Sequence, residues 1–216
     1  MIGKIKKFNF ESLFILNTFA LIVTSYFFNN FIFTGVYILF FFISIFTTKN
    51  GLKIIKKFNL LQNIRNEGPA NHFKKSDTPT MGGIFMIIPF LIFLLTITIN
   101  LGSLKLFLLF LTIFGFFITG FIDDFLSIKN KENTGFKTKE KFVLQSIISI
   151  IFILLAYEKN LINPFITISD SWGINMNIFI LPISFLVLVG ISNSVNLTDG
   201  LDGLAAGCSG VVFYGL

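Results

Sequence analysis

The chain of 216 residues has one cysteine, one histidine, one tryptophan and little charge, with Asp, Glu, Lys and Arg making up 13% of it. A lone Cys208 closes no intrachain disulfide, and without a CxxC or a Cys/His cluster neither a zinc module nor a redox motif can be built. Soluble domains usually carry about a quarter charged residues, so an ordinary soluble domain is excluded. Disorder needs low hydrophobicity and is excluded too. The P-loop, the dinucleotide fingerprint and HExxH are missing as well. What the chain has is apolar: 54% hydrophobic residues, 31 of them Phe, and a mean hydropathy of +0.82. Its net charge of +6 falls in blocks between long apolar runs, a layout that membrane topology imposes. No nucleic-acid partner is therefore expected.

A helix crossing the hydrocarbon core needs about 20 mostly apolar residues. Candidate spans are Ile84–Leu101, Leu104–Ile122, Phe142–Tyr157 and Ile178–Ser192, and another begins near Leu204. Residues 13–46 are apolar, with Asn29 and Asn30 in the middle. They read either as one span near 31–47 after an interfacial helix, or as a tight hairpin of two short spans. Lys4, Lys6 and Lys7 resemble the start of a signal peptide, but no small-residue cleavage site follows, so the segment is read as an anchor. The expected fold is all-α: a polytopic membrane bundle of about five to six transmembrane helices, forming one domain over 1–216.

Of the 17 basic residues, 12 lie in segments 49–75 and 123–141, which the positive-inside rule places in the cytoplasm. The opposite face receives 100–103 and roughly 158–177, and 193–203 returns to the cytoplasm. Eight of the eleven acids share that cytoplasmic face. Acids flush against apolar spans are costly unless they serve a site.

Three polar segments carry chemistry. The first, RNEGPANHFKKSDTPTMGG over 65–83, reads on physical grounds as a turn with Thr80 as helix N-cap, or as a phosphate-holding loop in which Lys75 sits near hydroxyls and bare backbone. The second, GFIDDF over 120–125, is either a solvated helix end or a carboxylate pair sharing a cation. Mg²⁺ is bound through one or two carboxylates together with substrate phosphates. The third, NSVNLTDGLDGLA over 193–205, repeats Asn193, Asn196, Asp199 and Asp202 every three residues. If helical, these form one polar stripe suited to a nucleobase, a sugar or a hydrated metal; otherwise the segment is a capped loop. Cys208 lies among small residues, where close helix packing is the ordinary role.

In order and spacing, these three segments resemble the phospho-N-acetylmuramoyl-pentapeptide transferase family, within the wider polyprenyl-phosphate N-acetylhexosamine-1-phosphate transferase superfamily. The likeness runs from about residue 50 onward, and the HxxKxxTPTMGG element is its most specific part. The resemblance implies transfer of phospho-N-acetylmuramoyl-pentapeptide from UDP-MurNAc-pentapeptide to undecaprenyl phosphate, giving lipid I and UMP with Mg²⁺, in the bacterial inner membrane. It further implies Asp123 and Asp124 as the acidic pair, with Asp123 the candidate to deprotonate the lipid phosphate, as base or as nucleophile. Asp199 would join these catalytic acids. Asn196 would contact metal and Asn193 would line the same cleft. Lys75, Thr80 and Asp202 would hold the uridine end, Lys141 would be a basic residue of the second loop, and a homodimer is suggested.

Three departures accompany the likeness. Asp77 stands where the family usually has Gly, and Ser127 where a DDxxK pattern has Lys. A later metal-binding Asp and a histidine-rich motif have no counterpart in the 216 residues. The chain therefore reads as the N-terminal portion of a transferase, the alternatives being a non-catalytic membrane remnant or partner subunit, or a related UDP-HexNAc transferase. The 216 residues alone are expected to make no lipid I from radiolabelled donor, undecaprenyl phosphate and Mg²⁺; clear product would refute this.

Overall fold

In a bilayer the backbone has no water to bond to, so long apolar runs must satisfy their own amides and carbonyls as helices. The computed structural model of the chain describes residues 31–58, 60, 80–130, 135–169, 172–199 and 204–215. It contains α1 (Phe31–Lys57), α2 (Ile84–Leu101), α3 (Leu104–Asn130), α4 (Thr138–Glu158), α5 (Ile180–Thr198) and α6 (Leu204–Gly215). Among the described residues, five helices are long and apolar enough to cross a membrane. The expected multi-pass helical bundle is borne out. One addition was not foreseen: an antiparallel hairpin of β1 (Phe165–Ser169) and β2 (Trp172–Asn175), irregular between Thr167 and Ser169. Ile166 and Thr167 of the β-branched run pair there with Ile174 and Gly173, within what reads in sequence as a plain connecting segment.

Each helix packs chiefly on its neighbour in sequence, from α1 on α2 through to α5 on α6. Contacts show that successive helices run antiparallel: Asp123 of α3 meets Lys141 of α4, while Gly115, two turns earlier on α3, meets Ile148, about two turns later on α4. The C-terminal ends of α1, α3 and α5 therefore share one end of the bundle with the N-terminal ends of α2 and α4, and the hairpin occupies the other. Between α2 and α3 the chain reverses at Gly102, whose φ of 56° is the left-handed conformation that glycine adopts without steric cost.

Four helices outrun their apolar spans: α4 starts at Thr138 rather than 142 and α5 ends at Thr198 rather than 192, while α1 and α3 overrun furthest. Expected to end near residue 47, α1 continues to Lys57, so Lys49, Lys53, Lys56 and Lys57 stand on its last turns rather than in a loop. Expected to end at residue 122, α3 continues to Asn130, which puts Asp123 and Asp124 two turns inside the helix. Hydropathy marks where lipid stops, whereas a helix stops only at a breaker or a competing bond. At 1.5 Å per residue, the 20 residues from Leu104 to Asp123 span about 30 Å, the thickness of the hydrocarbon core. The acidic pair thus emerges at the membrane edge on a helix that holds it rigidly. Thr80 is not the N-cap of α2; that position is Gly83, with no side-chain cap.

The α1–α2 contact turns on a proline. Pro89 lies inside α2 and has no N–H to offer the carbonyl four residues back, that of Phe85. Thr47 Oγ1 of α1 comes within 2.7 Å of that carbonyl oxygen across the interface, and its single proton is shared between this acceptor and the Ile43 carbonyl of its own helix at 2.8 Å. Next to it, Gly51 is buried, and any Cβ there would overlap the Phe85 ring. Phe40 and Phe93 meet edge to face, with ring centroids 4.4 Å apart, farther along the same seam. Elsewhere the buried hydroxyls of Thr98 and Thr112 bond back to the carbonyls four residues earlier on their own helices.

Replacing Thr47 with Val should therefore cost about 1 kcal/mol of stability in detergent, in the range of interhelical hydrogen bonds. In a Pro89→Ala background, where the substitution restores the missing backbone N–H, the same replacement of Thr47 should cost clearly less. Equal costs in the two backgrounds, read by thermal unfolding, would refute the assignment.

Candidate active site

At the shared end of α3, α4 and α5 the structure gathers acids, amides and the ammonium of Lys141. After α3, residues 135–137 return along it. Gly135 lies so close to the Asp123 carbonyl that a Cβ would collide with it, and this approach lets the Phe136 N–H donate to Asp123 Oδ1 at 2.8 Å. α4 then starts at Thr138, with the Glu140 carboxylate accepting the Lys137 N–H at 3.0 Å. One turn on, Lys141 Nζ reaches Asp123 Oδ2 at 2.7 Å. The side chains of Lys141 and Asp123 are 18% and 21% exposed, buried enough that salt screens the pair less than a surface pair.

Neighbours on a helix point about 100° apart, so Asp124 cannot share these partners. It is half-buried, lies in the electrostatic reach of Asp123, Lys141 and Asp199, and forms no ion pair with any described residue. Asp199 caps the C-terminal end of α5, so acids from α3 and α5 face one region. Helix α5 continues through Thr198, which makes the first part of the expected stripe real: Asn193 is half-buried, and Asn196 and Asp199 are exposed.

The Asn193 side chain is already engaged. Its Nδ2 donates to Gln145 Oε1 of α4 at 2.7 Å and to the Val189 carbonyl at 2.8 Å. Gln145 Nε2 in turn donates to Ser192 Oγ at 3.2 Å. Sequence reading missed Gln145, which is 3% exposed. The available signal was a glutamine inside an apolar span, four residues after Lys141 and four before Ser149, a spacing that puts all three on one helix face.

Thr80 is half-buried, and its N–H donates to the Leu60 carbonyl at 3.1 Å. Lys75 and Asp202 lie outside the described residues, as does Asp77. Among the described residues no three His, Cys, Asp or Glu side chains converge as a ready-made metal cage. Beside the acidic end, an apolar groove of about 500 Å³ opens between α1, α2 and α3, lined by Ile55, Met81, Phe85, Phe121 and Phe125, with Lys129 also in its wall.

The family model described as glycosyl transferase family 4 matches residues 106–216, and signature 1 of phospho-N-acetylmuramoyl-pentapeptide-transferase matches 75–87. A phospho-N-acetylmuramoyl-pentapeptide-transferase of Prochlorococcus marinus strain MIT 9301 is 88% identical over the whole chain, which covers 60% of that relative. One from strain MED4 is 55% identical over the same share. Another, from Halalkalibacterium halodurans, is 38% identical over 82% of the chain and 55% of its own length. The chain thus spans about 60% of the length of the first of these relatives.

Removing the Lys141 ammonium by Lys141→Met leaves Asp123 with a single donor, and a half-paired buried charge costs about 1–3 kcal/mol. The midpoint of thermal unfolding in detergent should fall accordingly. Gly135→Ala should lower it too, by pushing the 135–137 segment off α3. No change in either variant would mean that the Asp123 cluster contributes nothing to the fold.

Proposed function

The chain belongs to glycosyl transferase family 4, and from that premise we propose that it serves a phosphosugar transferase of the bacterial plasma membrane. The donor is UDP-MurNAc-pentapeptide, the acceptor is undecaprenyl phosphate, and the products are lipid I and UMP. The observation that carries this reading is the Asp123 cluster: a carboxylate fixed by Lys141 Nζ and the Phe136 N–H, at the membrane edge, with Asp124 and Asp199 close by.

Attack of one phosphate anion on a diphosphate leaves the protein little covalent work, so positioning and charge compensation should supply most of the catalysis. The Lys141 ammonium and the Phe136 N–H fix the direction of the Asp123 carboxylate, and in this reading it takes the proton from the lipid phosphate oxygen that attacks. The acceptor is an amphiphile. An apolar groove lying beside acids and holding one lysine, Lys129, suits its chain while its phosphate stays at the acidic end. On the donor side, Lys75, Thr80 and Asp202 are proposed to hold the uridine end, with Asn193 facing the same ligand.

Mg²⁺ fits the donors present. Asp124 and Asp199 approach from different helices, Asp124 forms no ion pair among the described residues, and Asn196 precedes Asp199 on the same stripe. Asp124, Asp199 and Asn196 would hold the ion, which when bound offsets charge on the diphosphate. A homodimer is part of the same proposal.

In the longest natural form of the protein, Asp123→Asn should cut lipid I formation by at least about 10²-fold, the usual worth of a positioned base, and Asp202→Asn should cut it too, by loosening the uridine end of the donor. Both variants should still insert into membranes. Normal turnover of radiolabelled donor by either variant would overturn the role given to that residue.

A further inference from the structure

The buried amide pair between α4 and α5 has a defined polarity. Which end of a side-chain amide is nitrogen follows from its partners, and here one partner leaves no choice. The Val189 carbonyl can only accept, so the Asn193 atom 2.8 Å from it must be Nδ2. Its second hydrogen then points at Gln145, whose near atom must be the acceptor Oε1, at 2.7 Å. That turns Gln145 Nε2 toward Ser192 Oγ, at 3.2 Å, where a hydroxyl can accept. Both Asn193 hydrogens are consumed. Its only atom without a partner among the described residues is Oδ1, an acceptor.

We propose that Gln145 is a positioning residue: together with the Val189 carbonyl it locks Asn193 so that this side chain presents an acceptor, and never a donor, to the ligand at the α3–α5 end of the bundle. The ligand group facing Asn193 is therefore a donor, a hydroxyl or N–H of the nucleotide-linked sugar. Gln145 touches no ligand; it acts through Asn193 from 3% exposure. The Gln145–Ser192 bond anchors the residue preceding Asn193, so rotation of α5 about its axis is resisted at the same point. The kinetic part of this inference rests on the function proposed above, while the orientation of Asn193 does not.

A glutamate at 145 can still accept from Asn193 Nδ2 and from the Ser192 hydroxyl, whereas leucine can do neither. In the longest natural form of the protein, Gln145→Leu should raise KM for the UDP-linked donor at least fivefold with kcat within twofold, and Gln145→Glu should restore KM to within twofold of the parent. Gln145→Met serves in place of Leu if the latter does not accumulate. With ¹⁵N-asparagine labelling, the Nδ2 signals assigned by their loss in Asn193→Ala should move in the leucine or methionine variant. An unchanged KM in Gln145→Leu, or equal losses of kcat and thermal stability in the Leu and Glu variants, would overturn the positioning role and leave packing alone. If the parent transfers no phosphosugar, the proposed function fails by itself. The spectrum then decides alone: shifted Nδ2 signals support the lock, and unmoved signals overturn it.

Discussion

The ion pair between Lys141 and Asp123 is the interaction on which the acidic end of the molecule depends. It joins the end of one membrane helix to the start of the next, and it closes only because the segment between them returns at Gly135 and contributes a backbone N–H. A charged pair at the lipid boundary is tolerable when both members are satisfied, and costly when either is alone. The two lone pairs that Asp123 commits to Lys141 and Phe136 fix its direction. Asp124, turned away by helical geometry, stays open toward α5.

Helix α4 occupies the middle of this arrangement. Its face carrying Lys141, Gln145 and Ser149 binds α3 through the first residue and α5 through the second. The hydroxyl of Ser149 is buried with no partner among the described residues, so along this face polarity declines from an ion pair through an amide pair to a bare hydroxyl as depth in the bundle increases. The gradient follows the falling availability of water. A charge is affordable only at the edge; deeper in, the Gln145 amide has neutral partners on the adjacent helix, and deeper still only one small hydroxyl remains.

Much of this was legible in sequence because lipid imposes a simple rule on long apolar segments. The bounds of α2 coincide with the apolar run, and the acids were found by their position beside such runs. Helix ends were less legible: nothing in Thr48, Lys49 or Asn50 stops a helix, and nothing in Asp123 or Asp124 does so either, so both helices run beyond the apolar signal. The hairpin was missed because four β-branched and aromatic residues, 165–168, are too short a run to stand out from an apolar background. Thr80 looked like a cap by residue type, yet cap geometry depends on where the preceding backbone goes. Gln145 was overlooked for a different reason: a neutral residue within a span carries no charge to draw attention, and its partners are 47 and 48 positions away.

The hydroxyl of Thr47 and the proline at 89 carry an implication for biogenesis. A helix with an unanswered carbonyl near its start partitions poorly into hydrocarbon on its own. α2 therefore becomes a comfortable lipid-embedded segment only once α1 is already beside it to answer that carbonyl. Synthesis from the N-terminus delivers the two in that order, so the first helix acts as a built-in chaperone for the second. A rearranged chain that presented α2 first would meet a barrier at the translocation channel that the natural order avoids.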